Sequence, residues 1–360
     1  METSTLTNYV YFDGSFLDNN AGIGRDSRNL LLAAKKAFDA NVEVIYPSLT
    51  WNFKYRASRV KPGRVLARLG QLLTFLFGTP KIQLPPGSVF IQSHMGGPIP
   101  IGSEIKHIVR AHDIFPVTNP EWFRFASVRI FRNYFFKLGE SCVIICDSFF
   151  TKNEIEKERP ELLDLRVAYC PVEVPKTLPC TSCQSCLSTS LLNGPYFIAI
   201  GTIEPRKNYE LLVQIWSQSS VRKNYALNLI IFGKVGWKAK KITKAIDAGS
   251  TASVMWMSNS CDNSLFEFLK NAQGFISISQ AEGFNLPVAE AYLSGIPIIL
   301  SRNSVHEEIF GKFANLIDSH DLPSFERKLL KILSESSRPT LFPDLPSYSS
   351  ALDFLASQLY

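Results

Sequence analysis

A chain of 360 residues with 46% hydrophobic and 19% charged residues has an ordinary globular composition, long enough for two separate cores. No apolar run reaches the ~18 residues of a membrane span, since the nearest, Leu66 to Phe77, is broken by Arg68, Gly70, Gln71 and Thr74. A formal charge of +6 favours anionic partners such as phosphates, nucleotide sugars, lipid head groups or nucleic acid without choosing among them.

The start, METSTLTNYVYF, has no basic residues followed by an apolar stretch, so no secretion signal is read and a cytoplasmic chain is expected. An odd number of cysteines, seven, in such a chain argues for reduced thiols and against a disulfide framework.

The first half alternates strands and helices. Val10 to Phe12 reads as a strand, and Ile23 to Phe38 carries Leu and Ala at helical spacing. Strand-like runs follow at Val42 to Tyr46, Val89 to Gln92, Ile105 to Arg110, Val143 to Cys146 and Leu165 to Cys170, with helices expected over Phe125 to Leu138 and Thr151 to Arg159. Strands interleaved with helices at this interval predict a parallel sheet covered on both faces.

From Pro171 to Gly194 the periodicity stops in a segment rich in Ser, Thr, Pro and Cys, which reads as a linker. The alternation then restarts: strands at Phe197 to Ile203, Leu227 to Phe232 and Val254 to Met257, helices at Tyr209 to Ser217, Trp237 to Asp247 and Ser264 to Asn271. The expected organisation is a first domain over 1–171, a linker over 172–194, a second domain over 195–335 and a tail over 336–360. In that tail Tyr348 to Leu359 is expected to form a helix crossing back to the first domain.

The stretch from Gly274 to Leu300, GFISISQAEGFNLPVAEAYLSGIPIIL, reads as strand, glycine loop, short helix and strand. Glu282 falls in the loop and Glu290 about one turn into the helix, so both can face one site. Ligands of open parallel sheets bind beyond the carboxyl ends of the strands. The loop after Phe197 to Ile203 supplies Arg206 and Lys207 there, and the Glu282 loop offers backbone N–H groups at a helix start, from Phe284 to Val288. Two cations facing a helix N-terminus predict a diphosphate site. Taken singly, Arg206 and Lys207 are a solvated turn, and each glutamate an exposed acid.

These residues carry a resemblance. GTIEPRKN together with AEGFNLPVAEA, with its two glutamates eight positions apart, resembles the signature of glycosyltransferase family 4, in particular its bacterial mannosyltransferase-like members. Gly22-Ile23-Gly24-Arg25 is similar to the glycine loop of that family's first domain, His112-Asp113 to its His-Asp pair, and Cys146 to Lys152 to a turn near that domain's end. The resemblance spans about Tyr9 to Ile317 and is strongest after Phe197.

The family implies a GT-B fold: α/β, two Rossmann-like doubly wound domains facing across a cleft, the second holding a GDP- or UDP-sugar donor. It implies that Glu282 contacts the sugar's hydroxyls, that Glu290 takes the ribose diol, and that Arg206 and Lys207 neutralise the diphosphate. Gly283, Phe284, Asn285 and Leu286 line the donor, Gly22 and Gly24 let backbone approach it, and His112 acts on the sugar from the first domain. Many members carry Arg directly after the strand glycine where this chain has Thr202, so Arg206 is expected to supply that charge.

The expected activity is retaining transfer of a hexose, mannose from GDP-mannose, to a glycan or lipid-linked glycan acceptor in surface-polysaccharide assembly. No cofactor is expected, and the lack of a D-x-D motif predicts no metal requirement. A sugar-nucleotide epimerase and an inactive nucleotide-sugar-binding protein are the competing readings; no nucleic-acid module is present. Cys180, Cys183 and Cys186, with Cys170, invite a zinc reading, but sit in a low-complexity linker that needs none. His94, in SHMGGP, reads as a loop histidine or a residue on the acceptor side. Phe123 to Lys137 mixes aromatic and basic residues, which is either an ordinary core-facing helix or a peripheral contact with an anionic membrane, on the cytoplasmic face of the inner membrane.

Overall fold

The computed structural model describes residues 9–19, 22–38, 41–49, 55–59, 61–62, 64–172, 194–258 and 262–335. Cys180, Cys183, Cys186 and the expected helix from Tyr348 to Leu359 lie outside the described residues. The chain forms two compact units, the first running to Pro171 and the second starting at Val172.

In the first unit the central strands are β1 (Val10–Asp13), β2 (Val42–Leu49), β5 (Val89–Gln92), β7 (Lys106–Ala111), β8 (Val143–Cys146) and β9 (Leu165–Val167). Every residue of β1, β5 and β8 is buried, because parallel strands covered on both faces lose the alternation of in and out. Three short strands, β3 (Tyr55–Ser58), β4 (Lys81–Gln83) and β6 (Ile99–Ile101), extend the sheet to nine, in the order β6-β4-β3-β2-β1-β5-β7-β8-β9. All pairs are parallel except β2 with β3. The extension departs from the expected sheet. Pro100 sits in β6 at the sheet's edge, where a missing N–H costs no ladder bond.

The helices of this unit are α1 (Gly22–Ala37), α2 (Arg64–Phe77), the single turn α3 (Phe115–Thr118), α4 (Phe125–Phe135) and α5 (Phe149–Glu158). Ser148 caps α5, its hydroxyl accepting from the Thr151 N–H at 3.1 Å.

The second unit is a six-stranded, all-parallel sheet of β10 (Tyr196–Ile200), β11 (Asn228–Phe232), β12 (Val254–Met257), β13 (Gly274–Ser277), β14 (Ile298–Ser301) and β15 (Asn315–Ile317). Its order, β12-β11-β10-β13-β14-β15, is the doubly wound arrangement whose direction of winding reverses between β10 and β13. Helices α6 (Tyr209–Gln218), α7 (Ser220–Asn224), α8 (Lys240–Ala248), α9 (Asp262–Asn271), α10 (Leu286–Leu293) and α11 (Leu322–Ser334) complete it.

Fully buried Trp216 on α6 anchors the core, meeting the edges of Phe197 from β10 and Phe325 from α11 at 6.0 and 6.4 Å. Gly201 ends β10 at φ 155°, a conformation that favours glycine, and Gly233 ends β11 where a Cβ would lie 1.9 Å from the Gly201 carbonyl oxygen. The chain after β10 can therefore turn sharply and still run beside β11, with Ile203 bridging to Val235.

Candidate active site

The reversal point between β10 and β13 is where a doubly wound sheet leaves a crevice, and the loops after these two strands carry the charged residues singled out above. Pro205–Lys207 forms a single 3-10 turn, closed by Asn208 in the left-handed region at φ 58°. It presents Arg206 and Lys207 to the loop after β13. Glu282, only 3% exposed, receives both: the Lys207 ammonium donates to Oε1 at 2.7 Å and the Arg206 guanidinium to Oε2. Arg206 also donates to Glu204 at 2.8 Å and to the Ala281 carbonyl at 2.9 Å. Glu204, 2% exposed, is a member of the cluster that sequence reasoning missed, because nothing in GTIEPRKN distinguishes a buried acid from a solvated one.

The cluster therefore holds two acids and two cations in mutual contact. Burial pushes the Glu282 carboxyl up, but the Arg206 and Lys207 charges overcome it and hold the group down at about 2. Glu282 is an anion at any physiological pH. Its charge offsets the cations in the structure as it stands, so these are not a simple solvated turn.

The glycine loop that follows is built by its own backbone. Asn285 takes φ 81° at the start of α10, a conformation Asn tolerates better than most residues, and Pro287 fills the first turn. The Asn285 amide donates to His306 Nε2 at 2.9 Å and to Ser277 Oγ at 3.3 Å, while His306 Nδ1–H donates to the Ser301 carbonyl at 2.8 Å. Burial lowers His306 to about 4, in keeping with a neutral ring that accepts from Asn285. His306 thus holds the loop from behind, a role with no signal in the sequence. Asn285 and Phe284 turn their side chains inward, Phe284 lying 6.3 Å from the Phe310 ring, so any donor contact from them must use the backbone. The expected run of N–H groups is shorter than read: Val288 N–H is bonded to the Asn285 carbonyl, and Pro287 has none. Gly283 is buried beside Glu282, Leu286 is half-buried, and Glu290 is 2% exposed on α10, not an exposed first-turn acid.

In the first unit His112 follows β7 and joins a second charge cluster. Its Nδ1 lies 2.9 Å from Asp147 after β8, and its Nε2 lies 3.1 Å from the Ser93 carbonyl and 3.8 Å from Asp26 on α1. Arg110, fully buried, lies 2.7 Å from the other Asp147 oxygen and 3.6 Å from Asp26. Burial alone would lower His112, but Asp147 and then Asp26 raise it to about 9, against the opposing charge of Arg110. With acceptors on both nitrogens, His112 is an imidazolium at neutral pH and cannot take a proton.

Asp26, His112 and Cys170 also place one ligand atom each within 4.8 Å of one another, the spacing of a metal site. The guanidinium of Arg110 already supplies the positive charge there, donating to Cys170 at 3.4 Å, and the Cys170 thiol donates to Asp147 at 3.2 Å. Burial pushes that thiol well up, opposing the thiolate a metal needs. We read it as an ion-pair cluster in which Cys170 is engaged by Arg110 and Asp147.

The structure gives two of the sequence readings a definite form. Gly22 and Gly24 stand in the first turn of α1, and Gly24 is required there because a Cβ would lie 1.8 Å from the Asn19 carbonyl oxygen. On α4 the aromatic side chains Tyr134 and Phe135 are buried and Phe131 packs against the core, so Phe123 to Lys137 is mainly a core-facing helix, with Phe125 and Phe136 exposed.

Residues 189–342 match the family model described as glycosyl transferases group 1. The matched residues fall within the second unit. Among curated relatives the chain is 29% identical over 219 residues to the serotype-specific mannosyltransferase WbdA of Escherichia coli, a match spanning 55% of this chain and 26% of that protein. It is 25% identical over 238 residues to the O-antigen chain mannosyltransferase B of Escherichia coli, covering 64% of this chain and 62% of that one. The chain thus spans about a quarter of the first relative's length and about three fifths of the second's.

Two solved structures share the fold over nearly the whole chain. One is WaaG, a glycosyltransferase involved in lipopolysaccharide biosynthesis, at TM-score 0.58 and 13% identity, covering 97% of this chain and 93% of that one. The other is OtsA in its apo form, also at 0.58, with 10% identity, covering 98% and 94%. The fold is GT-B, an α/β chain of two Rossmann-like units, of which the second carries the group 1 match.

Proposed function

We propose that this chain is a retaining hexosyltransferase of glycosyltransferase family 4 that moves mannose from GDP-mannose to a glycan or lipid-linked glycan acceptor, without a divalent metal. The observation that carries this reading is the cluster of Arg206, Lys207 and Glu282 at the winding reversal of the second unit, beside the start of α10. Similarity to two mannosyltransferases, WbdA and O-antigen chain mannosyltransferase B, supports mannose as the sugar.

The bond between the anomeric carbon and the diphosphate oxygen breaks with its electron pair leaving on the diphosphate. An acceptor hydroxyl oxygen bonds to the same face of that carbon, and its proton passes to the departing phosphate. Negative charge grows on the diphosphate as this happens. Arg206 and Lys207, already fixed by Glu282 and Glu204, favour that transition state without reorganising. Glu282 accepts hydrogen bonds from sugar hydroxyls and Glu290 from the ribose. His112 of the first unit, charged and with both nitrogens turned to acceptors, cannot serve as a base.

Lys207→Ala and Glu282→Ala should each lose most transfer of mannose from GDP-mannose to a glycan-lipid extract while staying folded. Near-normal turnover in both overturns the assignment. Turnover of GDP-mannose to another nucleotide sugar with no acceptor present would favour an epimerase instead.

A further inference from the structure

Glu204 follows β10 at the winding reversal and belongs to the charged cluster there, yet it contacts no group that reacts in the transfer. Its side chain is 2% exposed, against 14% for Arg206 and 11% for Lys207. The acid therefore lies deeper than the cations, which are the more open members of the cluster. Burial raises the Tyr209 phenol, and the charges of Glu204 and then Glu282 raise it further, which places both acids beside one buried group at the start of α6. That phenol donates to the Gly201 carbonyl at 3.1 Å and takes no part in balancing the cations.

Arg206 is held by more than this acid. One guanidinium nitrogen donates to Glu204 at 2.8 Å, and the other donates to the Ala281 carbonyl at 2.9 Å and to Glu282. The backbone carbonyl of Arg206 accepts from the Gln280 N–H at 2.9 Å, and the Glu204 carbonyl accepts from the Lys207 N–H at 3.2 Å, so the loops after β10 and β13 are tied by main chain as well. An amide at position 204 could accept the same bond from Arg206. It could not supply the second negative charge. With Glu204 the four side chains carry two charges of each sign and sum to zero, and without it they sum to one positive charge.

The charge matters because donor and product differ in it. A sugar-linked diphosphate carries about two negative charges, and once the sugar has left, the freed terminal phosphate, whose second pKa is ~6, brings the product to about three. A site with net positive charge favours the more highly charged product, whereas a balanced site does so less. Discrimination of this kind comes from a repulsive element built into the site. We propose that Glu204 is a specificity-determining residue whose charge, acting through Arg206, keeps the site from favouring the nucleoside diphosphate product over the nucleotide-sugar donor. The assignment rests on the diphosphate site proposed above and goes beyond it by giving the second acid a purpose.

Calorimetric titrations of GDP and of GDP-mannose into the full wild-type chain and into Glu204→Gln test it. The variant should bind GDP about tenfold more tightly and GDP-mannose with a smaller gain, so that the ratio of affinities moves toward GDP by about threefold or more. A variant that binds both ligands more weakly shows that Glu204 only fixes the geometry of Arg206 and overturns the proposal, as does an unchanged ratio. The wild type should itself prefer GDP to GDP-mannose by less than about tenfold, and a larger preference overturns the proposal even if the variant does not fold. Binding of neither nucleotide by the wild type would instead overturn the diphosphate site on which the assignment rests.

Discussion

Replacing Glu282 by Gln removes one charge from a buried cluster and leaves two cations facing an amide. The magnitude follows from the carboxyl itself, held at about 2 against an ordinary 4.5. At about 1.4 kcal/mol for each tenfold change, the ionised form is worth about 3 kcal/mol to the folded state. Removing one partner of a buried ion pair costs about 3–5 kcal/mol in general. Arg206 keeps Glu204 at 2.8 Å, so the loss falls mainly on Lys207, and about 3 kcal/mol is expected. The sign is that of a depressed carboxylate: the stabilisation is complete above pH 4.5 and is lost as pH falls toward 2. Urea unfolding at pH 7 should therefore show Glu282→Gln about 3 kcal/mol less stable than wild type, with the gap closing in acid. Inorganic pyrophosphate, which supplies the missing anion, should stabilise the variant more than the wild type. A loss under about 1 kcal/mol at pH 7 would refute the view that Glu282 balances these cations.

Further outcomes follow from other sites. His112 is raised to about 9, so its contribution is complete below pH 6.5 and is lost as pH rises through 9; thermal midpoints of Asp147→Asn should lack that alkaline fall, and the His112 imidazole resonance should titrate near or below 6.5 in the variant. Gly233→Ala places a Cβ against the Gly201 carbonyl and should cost more than about 2 kcal/mol, measured by the same urea unfolding. Asn285→Gly keeps the backbone conformation, because glycine also adopts φ 81°, but loses the amide bonds to His306 and Ser277, so it should lower the thermal midpoint less than Asn285→Val, which should also weaken GDP-mannose binding.

Much of this fold was legible because the central strands are continuous apolar runs: Val89 to Gln92, Val143 to Cys146 and Leu227 to Phe232 stand out against polar connections. The edge of the first sheet was not. Lys81–Gln83 and Ile99–Ile101 are three residues each and flanked or interrupted by proline, too short for a period to show. In the sequence helix α2 is only an apolar run too interrupted for a membrane span, since the letters do not say that its leucines face outward. At the group 1 site, position was legible and contact was not: Arg206, Lys207 and Glu282 were placed at strand ends by pattern. That one carboxylate takes both cations, with Glu204 and His306 in support, depends on contacts between residues up to 76 positions apart.

The most direct test of the central claim is calorimetric titration of GDP-mannose into the wild-type chain and into Lys207→Ala. Saturable binding to the wild type, weakened about tenfold or more in the variant while UDP-glucose binds neither well, is the predicted result. Equal affinity in the two proteins, or no binding by the wild type, would contradict a diphosphate site at this cluster.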